Sequence, residues 1–134
     1  MKKYIQEIFP RLVKFSKTLD NLSILVDENW FVSTDDPSEQ KIFVFWNNND
    51  LLVSTNGVVE RGRWDYIDNA KSLLIEFGDS MISYNRVFID DKVLLLKQDG
   101  SDEIMILSNE NMLIDSRSIE HYIETEYGSK LGQD

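Results

Sequence analysis

Between Lys41 and Leu107, short apolar runs alternate with turn signals at a nearly even spacing, a rhythm that leaves room for little but an antiparallel β-meander. The turns read directly as Asn47-Asn48-Asn49-Asp50, Asn56-Gly57, Asp68-Asn69, Gly78-Asp79, Asp90-Asp91 and Asp99-Gly100, each followed shortly by a new β-prone run. Asn56-Gly57 is the strongest hairpin signal, because a type I′ turn needs positive φ at both central residues. The turn count predicts a mainly β chain of seven to eight strands in an antiparallel meander.

The strands have readable faces. Alternation across Val58 to Tyr66 puts Val58, Gly62, Trp64 and Tyr66 on one side and Val59, Arg61, Arg63 and Asp65 on the other. Gly62, among bulky inward neighbours, predicts a place where another backbone or ring approaches closely, or where the sheet bends. Lys41 to Trp46 and Val93 to Leu96 are apolar on both faces, which predicts strands covered on two sides and marks them as places for helices to pack.

Helical spacing appears before and after the meander. Ile5, Ile8, Leu12, Phe15, Leu19 and Leu22 recur at helical intervals, and Pro10, tolerated best in a first turn, predicts that the main helix runs from about Pro10 to Asp20-Asn21. Ile119, Tyr122, Ile123 and Tyr127 share one face of a closing helix over 116–127, with Asp115 or Ser116 as N-cap and Gly128 as the residue that ends it. We therefore read one domain over 1–134: a helical segment at 1–22, the meander at 29–107, the closing helix, and a mobile tail at 129–134.

The chain has no cysteine, so packing rather than disulfides must hold it together, and a reducing cytoplasm is the simplest home. The first residues lack an uninterrupted apolar stretch and no segment approaches a membrane-spanning length, so we expect a soluble protein that is not exported. With 24 acidic residues against 14 basic ones the formal net charge is -10. That balance disfavours nucleic acid, which needs a basic stripe, and favours steering toward a basic protein partner.

Catalytic and metal chemistry find no foothold in this pattern. His121 is the single histidine and no Gly-x-Ser-x-Gly elbow accompanies it. Asp99-Gly100-Ser101-Asp102-Glu103 resembles a calcium loop only faintly, since Ile104 stands where such a loop needs glycine. We expect no catalytic set, no metal and no cofactor. Two candidate sites remain. Acidic loop residues Asp35, Asp36, Glu39, Asp90, Asp91, Asp99, Asp102 and Glu103 are the expected surface for a basic partner. Trp46, Glu60, Trp64, Tyr66, Tyr84 and Phe88 are the expected lining of an apolar pocket, with Arg86 as the partner of Glu60, although rings of this size equally fill a small core.

The run Ile42-Phe43-Val44-Phe45, Leu51-Leu52-Val53-Ser54, Asn56-Gly57, Gly62-Arg63-Trp64, Leu73-Leu74-Ile75, Tyr84, Phe88 and Val93-Leu94-Leu95-Leu96 resembles the bacterial lipocalin-like domains. It covers about half of the chain. The resemblance implies an up-and-down antiparallel barrel, or a strongly curled sheet, whose interior holds a small apolar ligand. Two functions follow as expectations: an acidic intracellular protein-binding module, for instance an immunity-type neutraliser of a basic toxin or effector, and alternatively a lipocalin-like barrel for a small apolar ligand.

Overall fold

The computed structural model describes residues 2–17, 22–34, 36, 38–67 and 70–131. Eight strands follow one another around a closed, wholly antiparallel barrel: β1 Asn29–Val32, β2 Lys41–Phe45, β3 Asp50–Thr55, β4 Val58–Ile67, β5 Ser72–Phe77, β6 Ser80–Ile89, β7 Val93–Gln98 and β8 Ile104–Ser108. The expected meander is present, its Asp68-Asn69 turn lying outside the described residues, and its ends meet, with Phe31 opposite Ser108 and Val32 opposite Leu107. At the Asn56-Gly57 hairpin both φ angles are positive, 51° and 86°, as the type I′ reading requires.

Alternation sorts the strands into two cores. Inward residues Trp30, Phe43, Phe45, Leu51, Val53, Trp64, Leu73, Ile75, Tyr84, Val87, Ile89, Leu94, Leu96 and Leu107 fill the barrel. An eight-stranded barrel is just wide enough for side chains to fill, and the rings here touch one another: Phe45 stands edge-on to Trp64 with centroids 5.7 Å apart. The tryptophan N–H groups cannot be left bare in such a core. Trp30 Nε1 donates to the Leu25 carbonyl at 3.0 Å and Trp64 Nε1 to the Trp46 carbonyl at 2.8 Å. Leu25 follows a 3₁₀ turn, Leu22–Ile24, and is itself fully buried against the barrel core.

The second core lies outside the barrel. Phe88, Val93, Leu95, Ile104 and Ile106 face outward from β6, β7 and β8 and are covered by α1 Lys2–Leu12, the short α2 Glu110–Ile114 and α3 Ile119–Leu131. Covering on both faces is what Val93 to Leu96 predicts. The matching expectation for Lys41 to Trp46 is met only inside: Phe43 and Phe45 are buried, while Ile42 and Val44 stay half-exposed and do not belong to the helix-covered cluster among the described residues.

Both helical expectations need correction at their ends. Pro10 lies in the last turn of α1 rather than its first, and the chain tightens into a 3₁₀ turn at Val13–Phe15. Burial of Ile5, Ile8, Phe9 and Leu12 against the sheet outweighs the hydrogen bond that Pro10 cannot donate, and the helix stops within a turn. The end expected at Asp20-Asn21 lies outside the described residues. α3 runs through Gly128 to Leu131 instead of stopping, because Leu131 is only 4% exposed and anchors the last turn, so 129–131, expected in a mobile tail, are helical, and the remainder of that tail lies outside the described residues. Its cap is Ser118, whose Oγ accepts from the His121 N–H, rather than Asp115 or Ser116.

Gly62 is where β5 approaches β4 closely, the close approach that its small size predicts. A Cβ there would sit 2.5 Å from the Glu76 carbonyl oxygen and 2.9 Å from a carbon of the Phe77 ring, so backbone and ring both use the space that glycine leaves open. Gly62→Ala should lower stability by about 2 kcal/mol or more by forcing β4 and β5 apart, measured as a shift in the urea-unfolding midpoint. A midpoint unchanged from wild type would mean the sheet does not close tightly here.

Candidate functional site

The up-and-down order sends alternate connections to opposite ends of the barrel. At one end, called upper here, lie the β1–β2, β3–β4, β5–β6 and β7–β8 connections, and at the lower end the remaining turns and the chain's passage into and out of the barrel. The β1–β2 connection carries Asp36 and Glu39, the β5–β6 turn Asp79, and the β7–β8 connection Asp99, Asp102 and Glu103. All six are exposed. Because β8 pairs with β1, the two richest acidic connections are neighbours on the ring, and the closure that unites them is a tertiary fact. Asp36 is held by its own loop: Ser38 donates to it through both hydroxyl and backbone N–H, at 2.7 and 3.0 Å, which keeps the carboxyl below its ordinary range.

The same end is where inward-pointing side chains come into partial view. Val32, Phe77, Ile82 and Met105 pack on the barrel core yet remain half-exposed, and Glu60 stands exposed on that inward face opposite Val53. The upper end therefore combines a shallow apolar floor with an acidic surround. Val32, Phe77, Ile82 and Met105 were missed by reading rings alone, although two-residue alternation from Trp30, Ile75, Tyr84 and Leu107 points to that face.

Several expected site residues stand elsewhere. Asp35 lies outside the described residues. Asp91 is at the lower end, in an exposed ion pair with Lys17 at 2.8 Å, a contact of small energetic consequence. Asp90, expected on a solvated loop, is 2% exposed. Of the proposed pocket lining, Trp64 and Tyr84 are buried in the barrel and Tyr66 packs half-exposed against that core. Trp46 follows β2 and serves through its carbonyl. Burial alone raises the Tyr84 phenol above its usual range.

Phe88 faces outward into the helix-covered core, and Arg86 faces outward as well, so Arg86 cannot partner the inward-facing Glu60. The cause is one extra residue. Tyr84 pairs with Gln98 and Arg86 with Lys97, leaving Asn85 as a bulge that inverts the alternation of the rest of β6. Asn85 is held there by a hydrogen bond from its amide to Asp99 at 3.1 Å.

What Asp90 does is structural. Its carboxylate caps the β6–β7 turn, accepting the Lys92 and Val93 N–H groups at 2.9 and 2.8 Å, and its other oxygen accepts the hydroxyls of Tyr122 and Tyr127, each at 2.5 Å. A charge this deep is tolerable only with such a full set of donors. Lys92 and Arg117 flank the Tyr122 ring, and both pair with Asp115, whose carboxyl they hold well below the usual range. Asp90 thereby fastens α3 to the sheet.

Comparison with known protein families, with curated proteins and with solved structures gives no match. No helix among the described residues is long and apolar enough to cross a membrane, and no three metal-ligating side chains gather among them. His121 is exposed on α3.

Tyr122→Phe should cost about 1.5–3 kcal/mol, since it removes a hydrogen bond to a buried charge. Burial first, and then the bonds to Asp90, raise the Tyr122 and Tyr127 phenols above their usual range. A raised folded-state value means that the unfolded chain releases its protons first, so stability is full below pH of about 10 and falls as pH rises beyond it. Urea unfolding followed from pH 8 to 11 should show that fall, and it should be shallower in the Tyr122→Phe variant. Parallel pH dependences in the two proteins would count against this assignment.

Proposed function

We propose that this chain is a non-catalytic binding module that meets a basic protein through the upper end of its barrel. The observation that carries the reading is the gathering of Asp36, Glu39, Asp99, Asp102 and Glu103 on two connections that barrel closure makes neighbours. Exposed carboxylates at one end of a chain of net charge -10 accelerate encounter with a cationic surface and reject anionic ones. An immunity-type neutraliser of a basic toxin or effector, acting in the cytoplasm, is the specific form of this reading.

A second reading keeps the lipocalin-like resemblance and gives the same end a small apolar ligand. It is favoured by the half-exposed, inward-facing Val32, Phe77, Ile82 and Met105. A floor of this kind supports a shallow site above a filled interior rather than a deep one.

The two readings separate on charge. Wild-type protein and a variant with Asp36, Glu39, Asp99, Asp102 and Glu103 all replaced by lysine are used as bait in lysate of the source cell. Salt is set at about 0.1 M and about 1 M, where screening lengths fall from about 10 to about 3 Å. The expected outcome is a basic protein retained by wild type at low salt, then lost both at high salt and in the variant. Retention of the same protein by the lysine variant would overturn the acidic-surface reading. For the second reading, native mass spectrometry should find an apolar compound on wild type that Ile82→Glu abolishes.

A further inference from the structure

On the outer face of the barrel, between α1 and residues of β6, β7 and β8, lies a cleft of about 430 Å³. Phe9 and Ile104 form its buried floor, Pro10 lies exposed beside them, and Lys3, Arg86 and Lys97 bring three cations to it. Arg86 and Lys97 are directly opposite one another across β6 and β7. Like charges in that relation repel at cross-strand distance and destabilise the sheet.

Their proximity is a consequence of the bulge at Asn85. Without the extra residue Arg86 would point into the barrel, whereas with it Arg86 stands on the outer face opposite Lys97. The chain holds 24 acidic residues, yet among the described residues neither cation is in an ion pair. Glu7 and Asp102 also line the cleft without pairing to either, and Gln6 spends its amide on the Asp102 backbone carbonyl at 3.0 Å. A like-charged pair brought by a bulge to an apolar-floored cleft, with neither member in an ion pair among the described residues, is relieved by any anion that binds between them.

We propose that this cleft binds a small amphipathic carboxylate. Its head would be gripped by Arg86, whose planar fork matches two carboxylate oxygens, and by Lys97, while its hydrocarbon body lies along Phe9, Pro10 and Ile104. The volume falls within the range of small-molecule sites, about 300–1,000 Å³. The head alone is a weak ligand here, because Glu7, Asp102 and the net negative charge oppose it, so binding depends on the apolar body. The cleft shares Asp102 with the acidic set at the upper end, but its ligand is held by Arg86, Lys97, Phe9, Pro10 and Ile104, none of which belongs to that set, so its test is distinct from the tests of the readings given for that end.

The test uses the full chain, isotope-labelled, titrated with octanoate and separately with octylamine, the same chain length bearing the opposite charge. Octanoate is expected to shift the backbone amide resonances of Phe9, Arg86, Lys97 and Ile104 at millimolar concentration, and octylamine is expected to leave them in place. The double variant Arg86→Gln with Lys97→Gln should weaken octanoate at least about tenfold, the loss expected for charge-assisted hydrogen bonds. Its melting temperature should be equal to or above wild type, since a repulsion is removed, and this shows that the fold survives. Equal shifts with octylamine, an affinity unchanged in the double variant, or no shift with octanoate would each overturn the proposal. Octanoate shifts confined to Val32, Ile82 and Met105 would also overturn it and move the ligand to the barrel mouth.

Discussion

One extra residue in β6 sets the arrangement of everything outside the barrel. Up to Tyr84 the strand alternates in step with its neighbours; past Asn85 the sense is inverted, so that Val87 and Ile89 point in while Arg86 and Phe88 point out. Phe88 then joins Val93, Leu95, Ile104 and Ile106 in an outward apolar face too large to leave wet, and three helices assemble to cover it. The inversion matters energetically because a slip of one residue moves an entire side-chain set between core and solvent. Asn85 itself pays little, being tied by its amide to Asp99 while the Asp99 N–H reaches the Ser83 carbonyl at 2.9 Å.

The helical layer is fastened through a polar contact as well as an apolar one. Apolar burial is non-directional and would allow α3 to slide over the sheet. Asp90 removes that freedom, because one carboxylate joins the β6–β7 turn to two tyrosines of α3 five residues apart in the chain. The seam of the barrel is secured in a comparable way. β1 meets β8 through only two registered pairs, but the Ser33 N–H reaches the Ile106 carbonyl at 2.8 Å and Trp30 is locked to Leu25 beneath the core. The short strand at the seam is thus held from both ends.

How far the molecule was legible follows from how local each signal is. Asn56-Gly57 and Asp99-Gly100 announce hairpins because positive φ is decided within a few residues, and the faces of β4 follow from a period of two that nothing interrupts. Pro10 misled because its local preference for a first turn was outweighed by burial of Ile5, Ile8, Phe9 and Leu12, which depends on a sheet far along the chain. Gly128 misled for the same reason, with Leu131 buried beyond it. Asp90 looked like its neighbour Asp91, and nothing nearby in sequence distinguishes a carboxylate that will meet two tyrosine hydroxyls more than thirty residues away. At the candidate site, the acidity of the connections was readable but their common end was not, and the half-exposed floor of Val32, Phe77, Ile82 and Met105 required the register.

By itself the sequence determined an antiparallel meander of short strands, its main hairpin turns, a helix on either side and a strongly acidic surface, because turn chemistry, two-residue alternation and charge are properties of neighbouring residues. The tertiary structure decided the rest: that the sheet closes, that Asp36 and Glu39 lie beside Asp99, Asp102 and Glu103, that Asp90 is buried, and that Arg86 and Phe88 face outward. Each of these depends on register between strands and on burial against distant elements, and a single bulge at Asn85 is enough to reverse what alternation alone implies.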